Sequence, residues 1–191
     1  MPAVRGRVPR PARATTKAPQ GPAIPRPAAV CQNRAMTTTL TWQAKPFREL
    51  SADELYELLR LRSEVFVVEQ NCVYLDPDGK DRDPDAVHLF GRSTDGTLAA
   101  YLRILPAGLS YPQVSFGRVL TAPAHRGQGH GGPMIEAALI EIERRWPGAD
   151  VQIGAQAHLQ GYYGRYGFEP SSEPYVEDGI PHIDLLRRGR D

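Results

Sequence analysis

The stretch that most restricts what this chain can become is Gly127-Gln128-Gly129-His130-Gly131-Gly132, with Arg126 before it and Pro133 after it. Glycines at this density destabilise both helix and strand, so the run is a loop. Directly after it, Met134, Ile135, Ala138, Leu139 and Ile142 recur at helical spacing, and Pro133 is tolerated in a first turn. The loop therefore opens a helix, which ends near Trp146-Pro147-Gly148. Before it, Val114 to Leu120 reads as a strand. A strand, a glycine loop and a helix N-terminus gather unpaired backbone N–H groups and the positive end of a helix dipole at one place, which makes an anion site. A glycine-rich turn without a ligand is the plainer alternative.

Three nucleotide families use such a loop. Gly127, Gly129 and Gly132 fit the dinucleotide pattern G-x-G-x-x-G, but Thr121 to His125 separate the strand from the glycines, and Asp150 precedes the next strand instead of ending it. A triphosphate loop closes on Gly-Lys-Ser/Thr, which is absent. Both readings are set aside on these flanks, and the loop stands as an anion site.

The flanking pattern gives an α+β class, with a mixed central sheet of about six to seven strands flanked by helices. A short strand is expected at Leu40 to Gln43. Ser51 and Glu54 form a capping box for a helix whose Leu55, Leu58, Leu59, Val65 and Phe66 are periodic through about Val68. Strands at Val87 to Gly91, Leu98 to Leu105 and Val114 to Leu120, the first two joined by an Asp95-Gly96 turn, make an antiparallel meander. A strand at Val151 to Ala155, a short helix at about His158 to Tyr166 and a strand at about Ile180 to Leu185 follow. Asp76 to Asp85, interrupted by Pro77, Gly79 and Pro84, reads as an exposed acidic loop that would attract a cationic acceptor. It lacks the glycine and closing glutamate of a calcium loop.

Charge divides the chain. Residues 1–36 hold seven of the 23 Lys and Arg residues, none of the 22 acids and seven prolines, which leaves sixteen bases against 22 acids in the rest. This is read as a disordered basic extension, with a translation start at Met36 as the plainer expectation and residues 37–191 as the folded domain. A nucleic-acid arm and a transit segment are the sharper alternatives. No membrane-length apolar run or secretory signal is found, so a cytoplasmic location is expected, without nucleic-acid or membrane partners. Cys31 and Cys72 have neither disulfide nor zinc spacing, so no metal is expected.

Arg126, Gly129 and Gly131 also fit R/Q-x-x-G-x-G/A between a strand and a helix, and Tyr162-Tyr163-Gly164-Arg165-Tyr166-Gly167-Phe168 follows as an aromatic-Tyr-x-basic-x-Gly-Phe helix. On these two motifs the chain resembles the GNAT (GCN5-related N-acetyltransferase) superfamily. Val65 to Cys72, Gly154 to Gln160 and Asp178-Gly179-Ile180-Pro181-His182 resemble its ElaA-like branch. The resemblance spans about residues 38 to 187; Gly132-Pro133 departs from the better helix formers that relatives often carry there.

The resemblance implies direct attack of a primary amine on acetyl-CoA, the amine belonging to a small-molecule or peptide acceptor and the protein being a monomer or homodimer. Pantetheine would run between splayed strands at Arg118 to Thr121 and Val151 to Ala155. Arg118, Val119 and Leu120 would offer backbone groups to it, and Arg126, Gly127, Gln128, Gly129, His130 and Gly131 would hold the pyrophosphate. By motif position Tyr163 gives the leaving thiolate its proton, with packing beside Tyr162 as its plainer role. Glu69, at the end of the first helix, is the first candidate for general base, on the expectation that burial raises its pKa; His88, His158 and His182 are rivals. A non-catalytic acyl-CoA sensor and an autoinducer-synthase-like acyltransferase are the competing functions.

Overall fold

The computed structural model describes residues 39–189. The basic extension expected at residues 1–36 lies outside them. A single mixed sheet runs β1 (Thr41–Pro46), β2 (Val87–Arg92), β3 (Leu98–Leu105), β4 (Val114–Thr121), β5 (Val151–Gln156), β8 (Ile180–Arg187) and β6 (Glu169–Pro170), with β7 (Tyr175–Glu177) also paired to β8. The eighth strand beyond the expected six to seven comes from β6 and β7, which are two and three residues long. Segments this short have too little periodicity to read from sequence.

Strand alternation sorts the core into two layers. Leu89, Leu102, Ile104, Phe116, Ile153 and Ile183 pack under Met134, Ile135, Ala138 and Ile142 of helix α2 (Gly131–Arg145). Phe90, Tyr101 and Leu120 face Leu58, Leu61 and Val65 on the opposite side. Leu58 and Leu61 belong to helix α1 (Ala52–Arg62), which opens with the expected Ser51–Glu54 capping box. Its last turns widen into a π-helix at Ser63–Glu69, an irregularity that hydrophobic spacing does not reveal. The meander β1 to β4 is antiparallel throughout.

Two irregularities in β4 open the sheet. Tyr101 pairs with Leu120 and Arg103 with Gly117, so Arg118 and Val119 together oppose Leu102 in a β-bulge. Arg118 takes φ of 53°, a left-handed conformation unusual for a side chain of its size. Beyond the bulge's strand, β4 and β5 pair in parallel only at Val114–Val151 and Ser115–Gln152 and then separate. The remaining halves of the two strands form the walls of a gap.

The acidic segment corrects the sequence reading. Asp76 and Asp81 are buried, not exposed, and hold the guanidinium of the fully buried Arg62: Nε to Asp76 at 2.7 Å and Nη1 to Asp81 at 2.7 Å. Arg103 reaches Asp78 and Asp81 at 2.7 and 2.8 Å, and Arg118 reaches Asp76 at 2.7 Å. Desolvation of this many charges is offset only because each has opposite charges and hydrogen bonds around it. Burial by itself would raise Asp78, yet the Arg103 guanidinium outweighs it and holds the carboxyl down at about 2. The arginine partners of Asp76, Asp78 and Asp81 lie 14 to 42 residues away, so local composition gave no sign of them. Asp83 and Asp85 only close local turns, with the Asp83 carboxylate accepting from the Asp85 amide.

Candidate active site

The gap between β4 and β5 broadens into a cavity of about 710 Å³. Its walls include Ser115 to Val119 of β4 and Ile153 to Gln156 of β5, with Phe66, Gln70, Cys72 and Tyr74 from the segment after α1. Because the strands separate, the cavity reaches both faces of the sheet. From the α2 face comes Tyr163, on the short helix α3 (Gln160–Gly164), packed edge-on against Tyr162 and Phe168 and tilted on Phe116. From the α1 face come Tyr111, Gly154, Gln156 and His182. Ser115, at the vertex where the strands part, has a buried hydroxyl without a partner among the described residues.

Burial pushes the Tyr163 hydroxyl up to about 12, with no charged group contributing. It therefore stays protonated through neutral and mildly alkaline pH, as a proton donor must.

The glycine loop follows a 3₁₀ turn at Pro123–His125. Gly127 and Gly129 have φ of 74° and 81°, the region that glycine enters without steric cost. None of the amides from Gly127 to Gly132 donates to another backbone carbonyl outside the helix, so they are available to an anion. A Cβ on Gly131 would lie 2.7 Å from the Tyr162 hydroxyl, so a larger residue there would have to displace that hydroxyl. Gln128 and His130 are tied within the loop, Gln128 Nε2 to the Ala124 carbonyl at 3.3 Å and His130 Nε2 to Gln128 Oε1 at 3.3 Å. His130 is also buried, which holds its pKa below the usual histidine value. The loop thus has a shape and an amide inventory that suit a pyrophosphate.

Glu69 does not behave as expected. It is exposed and forms a bidentate pair with Arg126, at 2.7 and 2.8 Å, which lowers its pKa. The premise that burial would raise it fails, because the π-helical turn carries the side chain outward over the glycine loop and away from the cavity. Arg126 is held there while its Nε donates to the Thr121 carbonyl at 3.2 Å. Arg118 and Val119 line the cavity, whereas the Leu120 side chain is packed under α1, which leaves only its backbone for a ligand.

The three histidines separate clearly. His88 is fully buried, accepting from the Tyr101 hydroxyl at Nδ1 and donating to the Asp81 carbonyl from Nε2. His158 is exposed and outside the cavity lining. His182 lines the cavity. Tyr111, Tyr175 and Asp184 form a cluster beside it that sequence reading missed: Tyr111 and Tyr175 both donate to Asp184 Oδ1, at 3.1 and 2.9 Å. These residues are 9 to 73 positions apart in the chain and no local motif joins them.

A family model described as an acetyltransferase (GNAT) domain matches residues 85–186. The chain belongs to the GNAT family. It is 45% identical over 148 residues to protein ElaA of Escherichia coli, a match covering 78% of this chain and 96% of ElaA. The crystal structure of E. coli ElaA superposes with a TM-score of 0.73 at 44% identity, over 78% of this chain and all of that one. An acyl-CoA N-acyltransferase from Pseudomonas aeruginosa gives 0.74 at 50% identity, over 78% and 99%. The ElaA-like resemblance is therefore upheld, and GNAT membership supports acyltransferase chemistry with an acyl-CoA donor. Among the described residues no helix is long and apolar enough to cross a membrane, and no group of three or more His, Cys, Asp or Glu residues is placed to hold a metal.

Proposed function

We propose that this GNAT protein transfers an acetyl group from acetyl-CoA to a primary amine of a small-molecule or peptide acceptor, by direct attack within a ternary complex. The observation that carries this reading is the split between β4 and β5, open to both faces of the sheet, with Tyr163 entering from one face. A donor threaded from the α2 face and an amine arriving from the α1 face meet in the gap without an enzyme-bound acyl intermediate. Gly127, Gln128, Gly129, His130 and Gly131 hold the pyrophosphate through backbone amides, and Arg126 supplies its cation. Arg118, Val119 and Leu120 present the backbone edge of β4 to pantetheine. Tyr163 protonates the departing thiolate, a transfer of the kind that contributes about 10²- to 10⁴-fold.

Thermal shift with acetyl-CoA, NADH and ATP tests the donor, since a ligand of the native state raises stability as its concentration exceeds Kd. Stabilisation by acetyl-CoA alone is expected; stabilisation by NADH or ATP without acetyl-CoA would sink the reading. Thiol release with a panel of primary amines then separates an enzyme from a sensor. Tyr163→Phe should cut kcat by about 100-fold with little change in acetyl-CoA binding. Unchanged turnover would remove Tyr163 from the mechanism.

A further inference from the structure

We infer that His182 and Tyr111 form the subsite for the acceptor's amine, with His182 Nε2 taking the proton that the amine must lose. The inference rests on the acetyl-transfer reading and supplies the base that Glu69 does not.

Two commitments fix the chemistry of this subsite. His182 Nδ1 lies 2.9 Å from the carbonyl oxygen of Ile180, and a carbonyl only accepts, so Nδ1 carries the hydrogen. In the neutral ring that leaves a lone pair on Nε2. The Tyr111 hydroxyl gives its hydrogen to Asp184, so its oxygen also faces the cavity as an acceptor. Gly154 leaves room for it, since an added Cβ would lie 2.9 Å from the Tyr111 oxygen. Register sets His182 and the Asp184 partner of Tyr111 on one face of the sheet. Gln156 is opposite His182 and Gly154 is opposite Asp184, two residues along the same face of the β5–β8 pair, a separation of about 7 Å. Two acceptors on one face of the cavity suit an ammonium group, which brings only N–H donors.

Three cations also line the cavity, and each is engaged elsewhere: Arg103 with Asp78, Arg118 with Asp76, and Lys80, whose Nζ donates to the Ser110 hydroxyl at 2.8 Å. Tyr175 of β7 stacks on the His182 ring with centroids 6.1 Å apart and turns its hydroxyl to Asp184. Gln156 faces it from β5, Glu177 ends β7, Asp178 lies in the turn to β8, and Cys72 Sγ sits 3.9 Å from the Asp178 carbonyl. Tyr163 reaches the gap from the opposite face, so base and acid stand on the two sides of the scissile thioester.

The step balances as follows. One N–H of the ammonium bonds to the Tyr111 oxygen and another gives its proton to Nε2. The freed lone pair forms the C–N bond at the thioester carbonyl carbon. As the C–S bond breaks, sulfur takes a proton from Tyr163, and the amide nitrogen sheds its second proton. His182 releases one proton to solvent and Tyr163 regains one.

Nitrogen NMR of the full chain labelled with ¹⁵N-histidine tests the geometry directly, the His182 signals being those lost in His182→Gln. The Nδ1–H tautomer is expected, and an Nε2–H tautomer would overturn the proposal. With n-butylamine as acceptor, His182→Gln should lower kcat/KM about 100-fold at neutral pH with acetyl-CoA Kd unchanged. That deficit should shrink as rising pH supplies free amine. A deficit constant with pH marks a structural role and overturns the assignment. Tyr111→Phe should raise the amine KM more than it lowers kcat; an unaltered KM removes Tyr111 from the subsite. A wild-type protein that binds acetyl-CoA yet acetylates no amine defeats the acetyl-transfer reading, and with it this role, before any variant is compared.

Discussion

Replacing Arg118 by alanine and, separately, by glycine tests whether the opening of the sheet depends on a strained backbone held by an ion pair. Arg118 adopts φ of 53° at the β4 bulge, and its Nε is tied to the buried Asp76 at 2.7 Å. Both variants lose that tie. Neither strands the carboxylate, because Asp76 keeps Arg62 at 2.7 Å. They differ in the backbone: a left-handed conformation costs an L-residue roughly 1–2 kcal/mol, whereas glycine enters it freely. At an ordinary strand position glycine is less stable than alanine by about 0.5–1 kcal/mol, so the order should invert here. Glycine should be the more stable variant by about 1 kcal/mol, or about 2–4 °C in Tm for a domain of this size. If alanine relaxes the bulge, acetyl-CoA should bind about fivefold more weakly to Arg118→Ala than to Arg118→Gly, the factor that 1 kcal/mol represents. Calorimetric unfolding and acetyl-CoA titration of both variants supply the readings. Alanine more stable than glycine, with equal acetyl-CoA affinity, would refute the claim that Arg118 stores strain at the gap.

Other perturbations address the remaining parts. Glu69→Gln frees Arg126 for the pyrophosphate and should tighten acetyl-CoA binding by about two- to fivefold, the small effect expected of an exposed pair; weaker binding on titration would mean that Glu69 orients Arg126 instead. Gly129→Ala meets no atom within 4 Å, so its cost is conformational alone, about 1–2 kcal/mol in urea unfolding. Asp81→Ala leaves Arg62 and Arg103 each short of a carboxylate and should cost about 3–5 kcal/mol by the same assay. Asp78 is held at about 2 against 3.8 for an ordinary aspartate, and Asp81 is lowered too. Both favour the folded state fully above pH 4, and this support is lost as pH falls towards 2, so Tm measured across that window should drop steeply in wild type and less in Asp78→Asn.

What the sequence revealed followed periodicity and local motif. The Ser51–Glu54 box, the stripe of α2, the meander and the glycine loop all depend on residues within a few positions of one another, and each lies where it was expected. The acidic segment was misread because burial of Asp76 and Asp81 is decided by Arg62, Arg103 and Arg118, which arrive from other elements. Glu69 was misplaced for a related reason: a π-helical turn shifts the direction of side chains without altering the apolar spacing. In the cavity, Tyr163 was reached through its motif, while Tyr175 and Asp184 meet through the pairing of β7 with β8, and Tyr111 joins them from the connection between β3 and β4. His182 stood level with two other histidines until topology put it alone in the cavity lining.

The central claim is acetyl transfer to an amine across the split sheet, and product stoichiometry tests it most directly. Incubation of the full chain with acetyl-CoA and a primary amine should yield free CoA thiol and N-acetylated amine in equal amounts, with both lost together in Tyr163→Phe. Tight acetyl-CoA binding without any acetylated amine, or thiol release that does not depend on the amine, would contradict it.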